Sequence, residues 1–482
     1  MNKKLITLLI VFIAILSLFL PPIQAAEVTY TYDSLNRLTS AKRVTSGPTI
    51  TVTYQYDASG NRTRYTAVEE GPTSGTVNIA TTPENINASW TLTGPNSYSL
   101  GGAGKKTVND LSAGDYTIEW SAMHGWRKNG AARETKSLAS GGAITFTGAY
   151  TQLGAPITWG NDRIAGLFAD YGSGNGIWRH DGNTWLQLSD WQPYLLIGYG
   201  QDGLAAAFNN YGAENGVYAY GDSSWRRLTD WQPTDMIAYG SANLAAKFAD
   251  YGSSGNGIWR YNGESWNKLT DWIPEAMVST GSNELVGYFG QYDSGNGIYK
   301  HDGASWNRLT DWVPDNIGAW GSRLTAIFTD YGGSGNGLWI YEGSWKRATD
   351  WQPAQVLSWK GDAQLAAVFN NYGSDGNGLW NYTGSSWSRL TDWVPVDMTK
   401  LGTEDLIAVF KDYGSSGNGV WKYNSAGSSW QRLTDWIPET ISSSGDYITA
   451  VFDDYGSGNG VWKYQGGSWT KLTDWVPAAP KP

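Results

Sequence analysis

The segment Thr229-Asp230-Trp231-Gln232-Pro233 contains the phrase that decides the fold, because Asp-Trp-x-Pro occurs eight times in this chain. Successive copies lie 39 to 43 residues apart, and their tryptophans are Trp191, Trp231, Trp272, Trp312, Trp351, Trp393, Trp436 and Trp475. A period near 40 residues that persists over eight copies is typical of a repeat architecture, in which each copy is one supersecondary unit. Such a chain presents many like surfaces, whereas catalysis usually requires one unlike site.

The third copy predicts the content of each unit. Its short apolar or alternating segments at 236–239, 244–248, 257–261 and 265–269 are separated by turns. Four strands in about 40 residues are the size of one propeller blade. We therefore predict an all-β chain with an eight-bladed β-propeller over residues 155–477 and a C-terminal tail over 478–482. No strand is left over to complete a blade from the other terminus, so an open solenoid is the alternative.

The first 26 residues predict export. A basic head with Lys3 and Lys4 precedes an apolar run over residues 5–20 and the small residues Ala25 and Ala26. This order is typical of a cleaved secretory signal, and the run is shorter than the roughly 20 residues that a spanning helix prefers. We expect a secreted or cell-surface protein with no transmembrane span after cleavage, and retention of the segment as an anchor is the alternative.

Two aromatic hairpin patterns follow the signal. The first runs over residues 30–38, and the second reads YQYDASGNR over residues 54–62. This second pattern resembles the YD repeats of bacterial Rhs-type surface proteins, and the resemblance covers residues 27–72. It implies an extracellular setting, but the segment is too short for the large shell that many such repeats build.

Residues 76–151 change to short alternating strands, which we expect at 76–82, 88–93, 106–109, 116–121 and 143–147. The phrases Thr82-Pro83, LSAGDYT over 111–117 and His124-Gly125-Trp126 resemble a PEGA-like β-sandwich of bacterial envelope proteins. A generic immunoglobulin-like spacer is the alternative. Either interpretation makes this part a small β-sandwich stalk.

The turns before the fourth strands carry a second resemblance. Residues 180–185 (HDGNTW) and 301–306 (HDGASW) are similar to degenerate Asp-box turns of sialidase-like propellers. The richness in glycine and tryptophan is similar to tectonin-type and tachylectin-type lectin propellers. These resemblances imply the fold, and no activity is transferred with them.

Two repeated segments should lie on one face, because antiparallel strands alternate in direction. The loop after each second strand supplies a tyrosine and an asparagine, namely Tyr171 and Asn175, Tyr211 and Asn215, Tyr251 and Asn256, Tyr292 and Asn296, Tyr331 and Asn336, Tyr372 and Asn377, Tyr413 and Asn418, and Tyr455 and Asn459. The crossover to the next blade supplies the eight tryptophans and the aspartates Asp190, Asp230, Asp271, Asp311, Asp350, Asp392, Asp435 and Asp474. We expect each cluster to span a blade boundary, with Trp191 approaching Tyr211.

Such a cluster suits a sugar, since an aromatic face stacks on a pyranose while amide and carboxylate groups bond to its hydroxyls. The alternative is that these residues serve only packing and turn geometry. A calcium loop is disfavoured, because the position before the tyrosine keeps a carboxylate in only five copies, which are Asp170, Asp250, Asp330, Asp412 and Asp454. We predict no metal site and no cofactor.

Composition excludes several function classes. The chain has no cysteine and a net charge of −10, so disulfides and thiolate chemistry are absent and nucleic acid is a poor partner. Its histidines, His124, His180 and His301, share no pattern, and the arginines Arg163, Arg226 and Arg323 cannot be assembled into a sialidase triad from the sequence.

We therefore expect a secreted, non-enzymatic, multivalent carbohydrate-binding or adhesion propeller. Its expected partners are glycans or cell-surface polysaccharide, and surface proteins in addition. One alternative is a structural or protein-binding component of the cell surface. A sialidase-like glycoside hydrolase is a further alternative, although a glycosidase carboxylate pair cannot be singled out among the many acids.

Overall fold

The computed structural model describes residues 27–44, 49–70, 74–84, 86–159, 163–200, 203–240, 242–281 and 284–480. The predicted signal over residues 1–26 lies outside these ranges. No helix within them is long and apolar enough to cross a membrane. The chain forms two compact units, of which one contains the residues up to Met123 with Arg127–Tyr150, and the other contains His124–Trp126 with Thr151–Pro482.

The first unit begins with one antiparallel sheet in the order β1-β2-β3-β4. Its strands are β1 (Glu27–Tyr32), β2 (Leu38–Val44), β3 (Thr49–Tyr56) and β4 (Arg62–Glu70). The turn after β3 is closed by Asp57, whose Oδ1 accepts hydrogen bonds from the backbone of Ser59 and Asn61 at 3.0 and 2.8 Å. Thr49 is the only buried residue among the described positions of this sheet.

Two further four-stranded sheets follow, in the orders β10-β12-β5-β8 and β11-β9-β6-β7. Their strands are β5 (Ser74–Thr82), β6 (Ser89–Gly94), β7 (Tyr98–Ala103), β8 (Lys106–Ser112), β9 (Gly114–Trp120), β10 (Trp126–Lys128), β11 (Arg133–Leu138) and β12 (Ala143–Gln152). A single-turn helix, Pro95–Ser97, precedes β7. β5 and β12 pair in parallel, whereas the pairs β9 with β11, β5 with β8, β6 with β7 and β6 with β9 are antiparallel.

Sequence analysis missed β7, β11 and the three-residue strand β10. β7 is glycine-rich, and its Gly102 is needed because a Cβ there would lie 2.5 Å from the indole ring of Trp90. β11 is almost entirely polar and alternates between exposed and half-buried side chains. Neither β7 nor β11 therefore carries the apolar alternation from which strands are recognised.

The second unit consists of eight antiparallel sheets, each made of four consecutive strands in sequence order. We call these sheets blades 1 to 8. The first strands are β13 (Ile157–Trp159), β17 (Leu195–Tyr199), β21 (Asp235–Tyr239), β25 (Ala276–Thr280), β29 (Asn316–Trp320), β33 (Gln355–Trp359), β37 (Asp397–Leu401) and β41 (Thr440–Ser444). The second strands are β14 (Arg163–Phe168), β18 (Gly203–Phe208), β22 (Asn243–Phe248), β26 (Glu284–Phe289), β30 (Arg323–Phe328), β34 (Gln364–Phe369), β38 (Asp405–Phe410) and β42 (Tyr447–Phe452).

The outer half of each blade is formed by its last two strands. The third strands are β15 (Gly176–His180), β19 (Gly216–Gly221), β23 (Gly257–Tyr261), β27 (Gly297–His301), β31 (Gly337–Tyr341), β35 (Gly378–Tyr382), β39 (Gly419–Asn424) and β43 (Gly460–Gln465). The fourth strands are β16 (Trp185–Ser189), β20 (Ser224–Thr229), β24 (Trp266–Thr270), β28 (Trp306–Thr310), β32 (Trp345–Thr349), β36 (Trp387–Thr391), β40 (Ser429–Thr434) and β44 (Ser468–Thr473).

A one-turn helix lies between the second and third strands of every blade. These helices are Gly172–Gly174, Gly212–Glu214, Gly252–Gly255, Asp293–Gly295, Gly332–Gly335, Gly373–Gly376, Gly414–Gly417 and Gly456–Gly458. Because neighbouring strands are antiparallel, these helices and the crossovers to the next blade lie at one end of each sheet. The remaining turns lie at the opposite end.

The second unit is a β-propeller, and the predicted all-β fold is confirmed. Second strands are buried on both faces, as in β38, where every residue after Asp405 is buried. First strands contact those of the neighbouring blade, and β13 of blade 1 contacts β41 of blade 8. In that last contact, the Ser442 and Thr158 hydroxyls donate to the carbonyls of Pro156 and Ser443 at 2.7 and 2.8 Å.

The C-terminal segment completes the contact between blades 8 and 1. The backbone N–H of Ala478 donates to the Leu167 carbonyl at 2.8 Å, just as that of Tyr194 donates to Ala207 at 2.9 Å where blade 1 leads into blade 2. The segment after the last fourth strand thus occupies against blade 1 the place of a crossover. A closed ring requires these contacts, and an open solenoid would lack them.

Candidate functional site

Each tryptophan of the Asp-Trp-x-Pro series stacks on the tyrosine of the next blade, and Trp475 stacks on Tyr171 of blade 1. The eight pairs have ring centroids 4.3 to 4.8 Å apart and interplanar angles of 9° to 19°. The tightest pair is Trp191 with Tyr211. The crossover tryptophan and the loop tyrosine therefore meet across every blade boundary.

The eight tyrosines and asparagines are held by hydrogen bonds within the protein. Each tyrosine hydroxyl accepts the backbone N–H of the residue after the tryptophan, at 2.5 to 2.9 Å. Each asparagine Oδ1 accepts the backbone N–H of its own tyrosine, at 2.6 to 2.7 Å. These side chains fix the loop and the boundary.

A glycine lets the tryptophan lie flat against this loop. At Gly255, an added Cβ would stand 2.3 Å from the Cβ of Tyr251 and 3.1 Å from Cη2 of Trp231. The loop composition therefore reflects close packing of the ring against the backbone.

The crossover tryptophan also contacts two further aromatic side chains of the next blade, and one of these contacts a third. Trp351 meets Phe369 of the second strand at 5.4 Å and Trp380 of the third strand at 6.0 Å, and Phe369 meets Trp387 of the fourth strand at 5.7 Å. Equivalent rings stand at all eight boundaries, with the tryptophan 5.4 to 5.7 Å from the phenylalanine. The boundary is thus an aromatic cluster.

Three consecutive boundaries contain an open aromatic pocket at this cluster. The pocket between blades 5 and 6 has a volume of about 290 Å³ and is lined by Thr349, Asp350, Trp351, Phe369, Trp380 and Trp387. The pocket between blades 4 and 5 has about 220 Å³ and is lined by Thr310, Trp312, Phe328, Trp339 and Trp345. The pocket between blades 3 and 4 has about 180 Å³ and is lined by Thr270, Trp272, Phe289, Tyr299 and Trp306.

The tryptophan, aspartate, tyrosine and asparagine that the sequence placed in one cluster therefore do not all lie at the pocket. The tryptophan lines all three pockets, and Asp350 lines the largest of them. The tyrosines and asparagines do not line these pockets, although the sequence predicted them as ligand-contacting residues. They contact the tryptophan and its loop instead, because the stacked tyrosine covers one face of the indole.

The indole N–H groups of the third-strand and fourth-strand tryptophans are already occupied. The eight fourth-strand tryptophans donate to a carbonyl in the fourth strand of the preceding blade, at 2.9 to 3.2 Å. Six third-strand tryptophans donate to the helix before their own strand, at 2.8 to 3.0 Å. These two walls thus offer aromatic surface to a ligand.

The rim carries charges of both signs. All eight aspartates of the Asp-Trp-x-Pro series are exposed, and two of them pair with a lysine of their own blade, in the pairs Lys268 with Asp271 and Lys471 with Asp474. In six blades a basic fourth-strand side chain lies 5.7 to 6.0 Å from the third-strand ring, as Arg389 does over Trp380. A ligand in the pocket would meet hydrogen-bond acceptors and donors there.

Sequence analysis missed the phenylalanine, the third-strand aromatic and the fourth-strand tryptophan as pocket residues. Their signal was present, since a tryptophan occurs in every fourth strand, at Trp185, Trp225, Trp266, Trp306, Trp345, Trp387, Trp430 and Trp469. These positions repeat as regularly as the Asp-Trp-x-Pro series. Strand periodicity alone did not indicate which neighbour each ring would face.

The remaining candidate residues lie elsewhere. Burial lowers the pKa of His180 and His301, and the Nδ1 of each accepts a backbone N–H of the following turn at 3.1 Å. His124 lies 3.5 Å from Glu439, and burial lowers its pKa. Within the described ranges, no group of three or more acidic or histidine side chains could hold a metal ion.

Comparison with known proteins gives similarity of fold only. No family model and no curated protein matches the chain. Among solved structures, the ectodomain of a receptor kinase from Physcomitrella patens is 12% identical over 56% of this chain and 72% of its own, with a TM-score of 0.38. An ancestral GH74 enzyme is 15% identical over 91% of this chain and 64% of its own, with a TM-score of 0.37.

A further similar structure is the β-propeller domain of the Trilobed protease from Pyrococcus furiosus. It is 11% identical over 67% of this chain and 96% of its own, with a TM-score of 0.41. At these identities and scores the similarities indicate no function for this chain.

Proposed function

We propose that the chain is an exported, non-enzymatic, eight-bladed propeller that binds carbohydrate at several like sites. One observation supports this proposal most strongly, which is the aromatic pocket between consecutive blades. Its walls are ring faces, the third-strand and fourth-strand tryptophans have their N–H donors already used, and ring faces suit the apolar side of a pyranose. The exposed aspartate and the basic side chain at the rim suit its hydroxyls.

The residues that we assign to sugar contact differ from the full predicted set. The crossover tryptophan, the third-strand aromatic and the fourth-strand tryptophan form the platform, as Trp351, Trp380 and Trp387 do in the pocket between blades 5 and 6. The aspartate accepts hydrogen bonds from the sugar. The tyrosine and asparagine support the platform from behind, through the stacked rings and the loop hydrogen bonds.

The repetition of the site suits a polymeric or surface-bound ligand. A shallow pocket that stacks on one sugar gains an affinity near the millimolar range, or about −4 kcal/mol. Several such pockets on one rigid ring engage a polysaccharide at high effective concentration, so avidity exceeds the single-site affinity by about 10² to 10⁴. We therefore expect polysaccharide to bind well and free monosaccharide feebly.

The test is a glycan array with the purified full chain, followed by titration of the best polysaccharide. Five rim aspartates other than the lysine-paired Asp271 and Asp474 are replaced together, in the changes Asp230→Asn, Asp311→Asn, Asp350→Asn, Asp392→Asn and Asp435→Asn. We expect at least a tenfold loss of polysaccharide affinity, because each site loses a charged acceptor while the aromatic packing is unchanged.

A control with the same change of charge separates site chemistry from net charge. The changes Asp170→Asn, Asp250→Asn, Asp330→Asn, Asp412→Asn and Asp454→Asn alter five exposed residues of the helix loops. Asparagine tolerates the positive φ that Asp170, Asp412 and Asp454 adopt. Equal losses in both variants would contradict the proposed site. Absence of any glycan binding, with capture of a surface protein instead, would favour a protein-binding component.

A further inference from the structure

One boundary of the propeller contains a polar cleft at the end of the blades opposite to the aromatic pockets. This cleft lies between blades 5 and 6, has a volume of about 180 Å³, and is lined by Trp320, Arg323, Ile340, Glu342, Ser344, Lys346, Ala363, Tyr382, Thr383 and Gly384. These residues come from strand ends and turns on the side of the first-to-second and third-to-fourth connections. The cleft is therefore separate from the repeated pockets.

Trp320 in its wall is one of three buried tryptophans that end a first strand, and its indole N–H, like that of Trp159 in blade 1, has no hydrogen-bond partner. Trp359 stands at the same position of blade 6, and its indole N–H donates to Oδ1 of Asn381 at 3.0 Å. In blade 5 the residue at the position of Asn381 is Ile340, which has no acceptor. Trp320 is 2% exposed and its Nε1 has no hydrogen-bond partner.

The missing hydrogen bond of the Trp320 indole lowers the stability of the fold, since a buried donor without a partner costs about 1 to 3 kcal/mol. Trp159 in blade 1 carries the same cost, so the charges of the cleft, and not this indole, distinguish the boundary between blades 5 and 6.

The charges of the cleft favour an anion. The Arg323 guanidinium lies 4.5 Å above the Trp320 ring, and its Nε is 3.1 Å from Oε1 of Glu342. Lys346 Nζ donates to the uncharged carbonyl of Gly384 at 3.1 Å. The lining thus contains two cations and one carboxylate, while the chain as a whole has a net charge of −10.

A second acid, Asp362, borders the cleft without cancelling the excess of positive charge in its lining. The carbonyl of Asp362 lies 3.5 Å from Nη1 of Arg323, and its carboxylate lies 4.0 Å from Nζ of Lys400. The Ser358 hydroxyl also donates to that carboxylate, at 2.6 Å. Asp362 is therefore balanced by Lys400, and the charge of Lys346 remains available.

We propose that this cleft binds one uronic acid residue, with the sugar carboxylate held by Lys346 and Arg323. Glu342 accepts hydroxyl hydrogen bonds, and Ser344 and Thr383 provide neutral polar contacts. The size of the cleft admits one sugar unit. A cleft of about 370 Å³ at the same end of blade 2 contains one cation and one carboxylate, Arg226 and Asp222, and so lacks the excess of positive charge. The proposed site does not depend on the repeated aromatic pockets.

Ligand-observed NMR titration of the full chain tests the proposal, with glucuronate as the probe and glucose and acetate for comparison. We expect glucuronate to bind in the millimolar range, to weaken as salt is raised, and to bind at least tenfold more tightly than either comparison compound. Lys346→Gln and Arg323→Gln should each lower glucuronate affinity at least tenfold. Arg226→Gln is the matched control, because Arg226 occupies the position of Lys346 in blade 2 and bonds to the Tyr261 hydroxyl at 2.6 Å.

Two outcomes would overturn the proposal. One is unchanged glucuronate affinity in the double Lys346→Gln, Arg323→Gln variant. The other is equal affinity for acetate, which would indicate a site for carboxylates in general. The five-aspartate variant of the rim should retain glucuronate binding, so failure of the repeated sugar sites and failure of this cleft give different results.

Discussion

The sheet β1–β4 and the sheet of blade 3 have the same strand order, yet they differ completely in burial. In β1–β4, Tyr30, Tyr32 and Tyr65 are 54%, 58% and 64% exposed. In blade 3, Leu244 and Phe248 of the second strand are 0% and 1% exposed. Four antiparallel strands do not make a core by themselves, and neighbouring sheets supply the burial. The stability of a blade therefore resides in its boundaries.

Replacing Phe248 by alanine should give the largest effect. Its ring is buried and contacts Trp231, Tyr251 and Trp266 at centroid distances of 5.5, 5.8 and 5.9 Å. We expect a loss of about 3 to 5 kcal/mol in the free energy of unfolding, measured by urea denaturation followed through tryptophan fluorescence. A loss below about 1 kcal/mol would show that the boundaries do not carry the stability.

Gly255→Ala should have an intermediate effect, because the new methyl group would overlap Tyr251 and press on Trp231. Overpacking of this kind costs about 1 to 3 kcal/mol. Gly333→Ala in the helix loop of blade 5 is the control, since a Cβ there meets nothing within 4 Å. Similar urea midpoints for the two variants would refute the steric argument.

Tyr251→Phe should cost about 1 kcal/mol. The change removes the hydroxyl that accepts the backbone N–H of Gln232 and leaves the ring stacked on Trp231. Tyr65→Phe in the exposed sheet serves as the control. If Tyr251→Phe were neutral, the hydrogen bond across the boundary would contribute nothing beyond the ring contact.

Tyr30→Ala in β1 should have the smallest effect, within about 0.5 kcal/mol, because more than half of the side chain is already in water. The urea midpoint of the propeller transition is the measurement. A loss comparable to that of Phe248→Ala would mean that the exposed sheet is packed in solution, and the contrast with blade 3 would disappear.

Much of the fold could be predicted from the sequence, because the repeat sets the period and each strand carries its own pattern. For the third copy, the expected segment 257–261 coincides with β23, the segments 236–239 and 244–248 begin one residue after the starts of β21 and β22, and the segment 265–269 is shifted by one residue from β24. The approach of Trp191 to Tyr211 also followed from strand direction. These features depend on local sequence and connectivity.

The composition of the pocket could not be predicted in the same way. Trp380 and Trp387 lie on the third and fourth strands, and the partners of their rings depend on how far one blade is rotated against the next. Asn377 presents a related case, since an amide in a glycine-rich loop suits a ligand and a turn equally well. Here its Oδ1 bonds to the backbone of Tyr372.

The contact between Trp475 and Tyr171 has a consequence for the order of assembly. The backbone of Gln232 reaches Tyr251 across 19 positions of the chain, whereas that of Val476 reaches Tyr171 across 305. Contacts between distant residues form late, since loop closure must precede them. Blade 1 therefore remains without its last aromatic partner until the final residues of the propeller have been synthesised. The ring can be completed only after the whole propeller has been made.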